Sequence, residues 1–222
     1  MATNLDLQEQ EQLDELKAFW QQHGNLITWT LTLILAAFAA WNGWNWYQRE
    51  QGAKASAMFE ELDNAVAAGD ADRAGRVFGD LKERFARTTY TQQAGLIAAK
   101  LQADKGQADA AAASLGWVAD NAANDDYKAL ARLRLAGLLI DKKAYDEALK
   151  QLAGVTQPAF AALADDRRGD VLLAQGKAAE AVTAWQAAYK AMDEKQDYRR
   201  VIEAKLTARA AAPEAAASAG AQ

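Results

Sequence analysis

The alternation of charged and apolar positions stops once along this chain, near its start. No Asp, Glu, Lys or Arg occurs between Lys17 and Arg49, and the 31 residues enclosed hold His23 and five of the seven tryptophans. The most apolar part is LITWTLTLILAAFAAWNGWNW, Leu26 to Trp46. As a helix its 21 residues would span roughly 30 Å, the hydrocarbon thickness of a bilayer. Trp29 stands near one end, and Trp41, Trp44, Trp46 and Tyr47 crowd the other, as in the aromatic belts of membrane interfaces. Thr28, Thr30 and Thr32 are expected to return their hydroxyls to the helix backbone. A buried core helix and a cleaved signal peptide are the competing readings. The uncharged stretch is long for a core helix. The preceding segment is acidic, and bulky aromatics stand where a signal peptide needs small residues. A transmembrane helix over 26–47 is therefore expected. Its orientation is only faintly marked: one Lys precedes it and Arg49 and Lys54 follow, which by itself favours a cytoplasmic C-terminal part.

From residue 53 the pattern changes to apolar positions three and four apart, as in LARLRLAGLLI and AVTAWQAAY. The chain is Ala-rich and has only two prolines, and strand and hairpin signals are absent. Helix breaks fall at Gly69-Asp70, Gly106-Gln107, Asp141-Lys142-Lys143 and Gly176-Lys177. The strings GDADRAGRVF, GQADAAAASL, KAYDEALKQL and GKAAEAVTAW align at Ala74, Ala111, Ala148 and Ala181, at spacings of 37, 37 and 33. That period marks helical-hairpin repeats of the tetratricopeptide kind. Twelve residues before these alanines stand Leu62, Ala99, Ala136 and Gly169, the last three small enough for close helix contact. Four residues after them come the large Phe78, Leu115, Leu152 and Trp185, and seven after come Leu81, Val118, Val155 and Ala188. Small positions facing large ones let paired helices interlock. Leu62 makes the first unit atypical, as a terminal repeat can be. The fold class expected is all-α: an N-terminal transmembrane helix, then a tetratricopeptide-like helical-hairpin solenoid. The boundaries are an N-terminal arm over 1–25, the span over 26–47, repeats over 48–205 and an Ala-rich flexible tail over 206–222.

Composition narrows the chemistry. Of 222 residues none is Cys and one is His, which excludes disulfides, thiol catalysis, cysteine-bound zinc and any two-His metal site. A net charge of -5 argues against nucleic-acid binding. No Gly-rich phosphate loop, GxSxG elbow or HExxH motif occurs. The acid pairs Asp125-Asp126 and Asp165-Asp166 suit helix starts or turns, with Arg167-Arg168 neutralising the second pair. Phe85, Tyr145, Trp185 and Tyr189 read as packing residues. No catalytic residues, metal ligands or cofactor are expected, and the protein is not expected to be an enzyme.

The order of an acidic arm with LDELKAFWQQHGN (Leu13 to Asn25), a span ending GWNWYQ, and helical repeats resembles the YfgM-like ancillary subunit family of the SecYEG translocon. ARLRLAGLLIDKKAYDEALKQL (Ala131 to Leu152) and PAFAALADDRRGDVLLAQGKAAEAVTAWQAAY (Pro158 to Tyr189) extend the resemblance to roughly residues 11–205. Trp185 departs from the tyrosine usual in that family. The resemblance implies a single-pass bacterial inner-membrane protein, its N-terminus cytoplasmic and its repeat domain periplasmic. It implies two partners besides the lipid bilayer: the SecYEG translocon and a membrane-anchored periplasmic chaperone of the prolyl-isomerase class. The expected function is a non-enzymatic scaffold that assists hand-over of secreted proteins. The rivals are a tethered adaptor that sequesters a signalling regulator and a scaffold for envelope assembly. Repeat position puts Gln93, Lys100, Arg134, Arg167 and Asp170, on the first helices of their units, in the expected partner-binding groove.

Overall fold

A computed structural model describes residues 7–209. The described chain is helical: α1 (Leu7–Ala67), α2 (Ala71–Arg84), α3 (Thr89–Asp104), α4 (Ala108–Asn121), α5 (Asp125–Asp141), α6 (Tyr145–Ala153), α7 (Pro158–Ala174), α8 (Ala178–Ala191) and α9 (Arg199–Ala208). Two compact units divide at Gln51 and Gly52, within α1.

The first unit is the N-terminal part of α1. No helix-breaking residue pattern interrupts it at the end of the apolar stretch, and the expected boundary between residues 47 and 48 is not a break in the helix. Its richest 18-residue window has mean hydropathy 1.5 and is 6% buried, so this is not a core helix. Leu31, Leu33, Ile34, Leu35 and Phe38 stand exposed, each an apolar side chain without a protein partner large enough to cover it. Among the described residues, α1 is the helix long and apolar enough to cross a membrane. The Thr28, Thr30 and Thr32 hydroxyls donate to the carbonyls of Gly24, Leu26 and Thr28 at 2.7, 2.8 and 2.7 Å. Asn42 Nδ2 donates to Phe38 O at 2.9 Å. These bonds satisfy the polar groups within the helix itself, which a lipid environment requires.

The second unit stacks helical hairpins. The end of α1 pairs with α2, where Arg73 Nε donates to Glu61 Oε1 at 3.0 Å. Then follow α3–α4, α5–α6 and α7–α8, with α9 closing against the last pair. All four turns share one geometry. The N–H groups of Gly69 and Asp70 donate to Val66 O and Ala65 O, and the same two bonds recur at Gly106–Gln107, Lys143–Ala144 and Gly176–Lys177. The turn residue is left-handed each time, with φ of 64°, 76°, 58° and 81° at Gly69, Gly106, Lys143 and Gly176. Glycine adopts this conformation without a steric cost, and Lys143 does not.

The aligned alanines Ala74, Ala111, Ala148 and Ala181 are all fully buried, as are the knobs Phe78, Leu115, Leu152 and Trp185 to within a few per cent. A buried small residue per hairpin beside a buried large one is the packing the sequence period implied. The second hairpin has a further close contact at Gly95, where a Cβ would fall 2.4 Å from Val118 Cγ2. Neighbouring hairpins are tied by an acid at the start of α2, α4 and α6. Asp72 accepts from Gln107 at 2.8 Å, and Asp146 from Gln175 at 3.5 Å. Asp109 accepts from Lys142, whose hydrogen bond and charge hold the carboxyl below its usual range.

Two readings of the sequence are corrected. Asp165 and Asp166 lie in the middle of α7, not at a helix start or turn, because Pro158 begins that helix. Residues 206–208, assigned to the tail, belong to α9, and Leu206 is fully buried. Residues 210–222 and the first six residues of the arm lie outside the described residues.

Candidate functional site: a groove between three first helices

Successive hairpins present their first helices side by side, so equivalent positions on α3, α5 and α7 line one surface. An open pocket of about 510 Å³ lies there. Its apolar lining is Ala99, Ala103, Leu115, Leu138 and Ile140, and its polar lining is Lys100, Asp104, Arg134, Asp141, Arg167 and Asp170, with Gly137 between them. Arg134 and Arg167 occupy the same repeat position, two residues before Ala136 and Gly169.

Four of the five expected groove residues are brought together in this pocket: Lys100, Arg134, Arg167 and Asp170. Gln93 is not among the pocket residues. It sits two turns nearer the start of α3, where its Nε2 donates to Tyr127 Oη at 2.8 Å and ties α3 to α5.

Their electrostatic roles differ. Lys100 Nζ meets Asp104 Oδ2 at 2.6 Å in an exposed i,i+4 pair, an arrangement worth about 0.3–0.5 kcal/mol. Arg134 is exposed, and its Nη1 makes a long 3.4 Å bond to Leu96 O. Arg167 Nη1 lies 3.4 Å from Asp170 Oδ2. Asp170 is already engaged on its other oxygen, by Lys205 Nζ at 2.7 Å and Trp185 Nε1 at 3.2 Å. Asp170 is therefore a joint between the groove and the last hairpin.

Behind Asp170 lies a buried network that sequence reasoning missed. Asp166 is 1% exposed, and its carboxylate accepts from Lys205 Nζ at 2.7 and 2.9 Å and from Tyr198 Oη at 2.9 Å. Both donors come from the C-terminal segment, so a buried charge on α7 holds α9 in place. Arg168 pairs with Asp165, and the partner of Asp166 is Lys205. Burial, followed by the charge of Asp166, pushes the Tyr198 hydroxyl up to about 12. Gly137 was also overlooked. Its signal is an interior glycine in ARLRLAGLLI, where helices disfavour one.

Among the described residues no group of three or more His, Asp or Glu could hold a metal ion. The groove offers hydrogen-bonding cations over an apolar floor, which suits holding a chain segment.

Hairpins of this period, with small residues under large knobs, define a tetratricopeptide-like repeat protein with, among the described residues, one helix long and apolar enough to cross a membrane. The tetratricopeptide repeat-like domain family matches residues 17–211. The chain is similar to the ancillary SecYEG translocon subunit of Escherichia coli (strain K12), 30% identical over 185 residues, covering 82% of this chain and 87% of that one. It is likewise similar to the subunit of that name from Neisseria gonorrhoeae (strain ATCC 700825 / FA 1090), 29% identical over 204 residues, covering 90% and 96%. The Haemophilus influenzae (strain ATCC 51907 / DSM 11121 / KW20 / Rd) subunit is 26% identical over 170 residues, covering 77% and 83%. The chain belongs to the ancillary SecYEG translocon subunit family.

Proposed function

We propose that this protein is a membrane-tethered, non-enzymatic scaffold that associates with the SecYEG translocon and a membrane-anchored periplasmic chaperone, and assists hand-over of secreted proteins. The bacterial inner membrane holds it as a single-pass protein, its N-terminus cytoplasmic and its repeat domain periplasmic. Along the chain the domains are the arm over 1–25, the span over 26–47, the repeats from 48 through α9, and the Ala-rich segment that follows α9. The observation that carries the reading is the groove between α3, α5 and α7, where Arg134 and Arg167 stand at equivalent positions over an apolar floor. Such a surface can hold an extended or helical segment of another polypeptide through several modest contacts. Tethering chaperone, channel and scaffold to one membrane raises their effective concentration, so modest contacts suffice. Arginine suits the task because its planar fork holds carboxylates or backbone carbonyls two at a time.

The test is quantitative crosslinking to channel and chaperone in membranes, with circular dichroism as the folding control. The double variant Arg134→Glu, Arg167→Glu should keep its fold and lose chaperone capture. Replacing the span with an unrelated one should reduce channel association. A folded double variant that captures the chaperone undiminished removes the groove from this function. A C-terminal reporter that works only in the cytoplasm overturns the topology.

A further inference from the structure

Gln102 is a polar side chain at an apolar position of the repeat. Its equivalents are Ala65, Leu139 and Leu172, all buried, and Gln102 is itself only 5% exposed. Its Oε1 accepts from Ser114 Oγ on α4 at 2.8 Å, and Ser114 is buried as well. That bond leaves Nε2 turned the other way, where among the described residues it has no hydrogen-bond partner. A buried donor without an acceptor costs the desolvation of the group, a cost that leucine avoids. Packing therefore gives no reason for the amide.

The amide borders an open pocket of about 460 Å³ between α2, α3 and α4, which shares no lining residue with the groove. A Cβ on Gly75 would fall 2.9 Å from Nε2, so the missing side chain is what keeps the donor uncovered. The repeat equivalents of Gly75 are Ala112, Leu149 and Val182. Two departures from the repeat thus meet at one joint: an amide in place of an apolar side chain, and a glycine in place of a larger residue. Arg76 and Lys82, both exposed, line the same pocket, and neither has an ion-pair partner among the described residues. Lys82 Nζ lies over the Phe78 ring, 5.7 Å from its centroid. Against these two cations the lining has one acid, Asp72, whose Oδ1 accepts from Gln107.

We infer that this pocket takes the carboxylate of an Asp or Glu side chain from a partner polypeptide, with the Gln102 amide as the buried donor and Arg76 and Lys82 supplying the charge. An ionised acceptor makes the stronger hydrogen bond to such a donor. Phe78 and Ala110 give apolar contact to the stem of a side chain. A free phosphate would need donors on several sides, and the site has one buried amide. The inference is independent of the groove, so its failure leaves the scaffold reading untouched.

The test follows the Gln102 side-chain amide by nitrogen-edited NMR of the full chain in lipid nanodiscs, its signals identified by their loss in Gln102→Met. The probe is glutamate capped at both ends; the controls are capped glutamine and inorganic phosphate. Capped glutamate should shift the signals saturably, with half-saturation at about a millimolar, as suits so small a ligand. Capped glutamine should bind about tenfold more weakly. Gly75→Ala should cover Nε2 and abolish the shift. Gln102→Leu with Ser114→Ala restores the apolar joint of the other repeats. It should raise the melting temperature and abolish binding, read then at the Gly75 backbone amide. An amide kept for packing would instead make that double variant less stable. No saturable shift, equal binding of capped glutamine, tighter binding of phosphate, or a destabilised double variant each overturn the assignment.

Discussion

The indole of Trp185 occupies the space that a side chain at residue 169 would need. A Cβ on Gly169 would lie 2.4 Å from Nε1 and 2.5 Å from Cδ1 of that ring. The buried indole N–H is satisfied there, donating to Asp166 O at 3.1 Å and to Asp170 Oδ1 at 3.2 Å. The small position on α7 thus admits the largest side chain of α8, and the same contact sets Asp170 at the edge of the groove.

Gly169→Leu should therefore overpack a rigid buried ring and cost roughly 1–3 kcal/mol or more. Ala136→Leu, at a fully buried position on α5, should cost about as much. Ala179→Leu, on the exposed start of α8, should change little. Thermal melts followed by circular dichroism check this, and equal losses at all three positions would refute the repeat register.

Lys143 is the one turn residue of the four that is not glycine, and its φ of 58° lies in the left-handed region. Lys143→Gly should relieve a strain of about 1 kcal/mol, partly offset by the greater freedom of glycine in the unfolded chain. A higher denaturation midpoint is expected. Lys143→Val should lower it, because a β-branched side chain tolerates this conformation less well.

The hold on α9 should weaken in alkali. Tyr198 has its folded-state value raised to about 12, against about 10 unfolded, by burial first and then by Asp166. Its contribution is full below pH 10 and is lost as the pH rises through 12. Tryptophan fluorescence at Trp185, beside this network, should report release of α9 in that window. Tyr198→Phe should remove that part of the transition while costing about 1 kcal/mol at neutral pH for the lost bond to Asp166. An identical alkaline profile in the variant counts against the assignment.

Replacing Lys205 by Met should be more damaging, because it leaves the Asp166 carboxylate buried without its cation. A loss of roughly 3–5 kcal/mol is expected. Lys205→Met combined with Asp166→Leu should recover much of it, since two apolar groups leave no charge uncompensated. Chemical denaturation of the three variants gives the coupling directly.

Alkaline carbonate should not extract the full chain, because the exposed apolar part of α1 is costly in water. A chain beginning near Ala53 should be released as soluble protein. Starting beyond Ala67 should fail, since it removes Ala55, Leu62 and Ala65, all fully buried in the first hairpin. A soluble, fully cooperative chain lacking residues 53–67 would show that this end of α1 is not part of the repeat domain.

Much of the fold was legible because its signals are local. A turn needing positive φ leaves Gly69, Gly106 and Gly176 at a fixed distance before Ala74, Ala111 and Ala181. Lys143 was found from the period, not from its residue type. Four of the groove residues were legible for a related reason: repeat equivalence puts equivalent side chains on equivalent faces. Gln93 escaped it by lying two turns along α3, where Tyr127 takes its amide.

The sequence by itself determined the apolar helix, the number and order of the hairpins and the small–large matching, since each follows from helical spacing within a few turns. Only the tertiary structure decided how the charges are used. Arg167 and Arg168 adjoin Asp166 in the chain, but residues one and two apart point to different faces of a helix. The cation that reaches Asp166 is Lys205, 39 residues away. The division of Asp170 between the groove and Lys205 was likewise settled by packing. A buried charge must find its partner in space, and nothing in the spacing of a helix says which distant residue that will be.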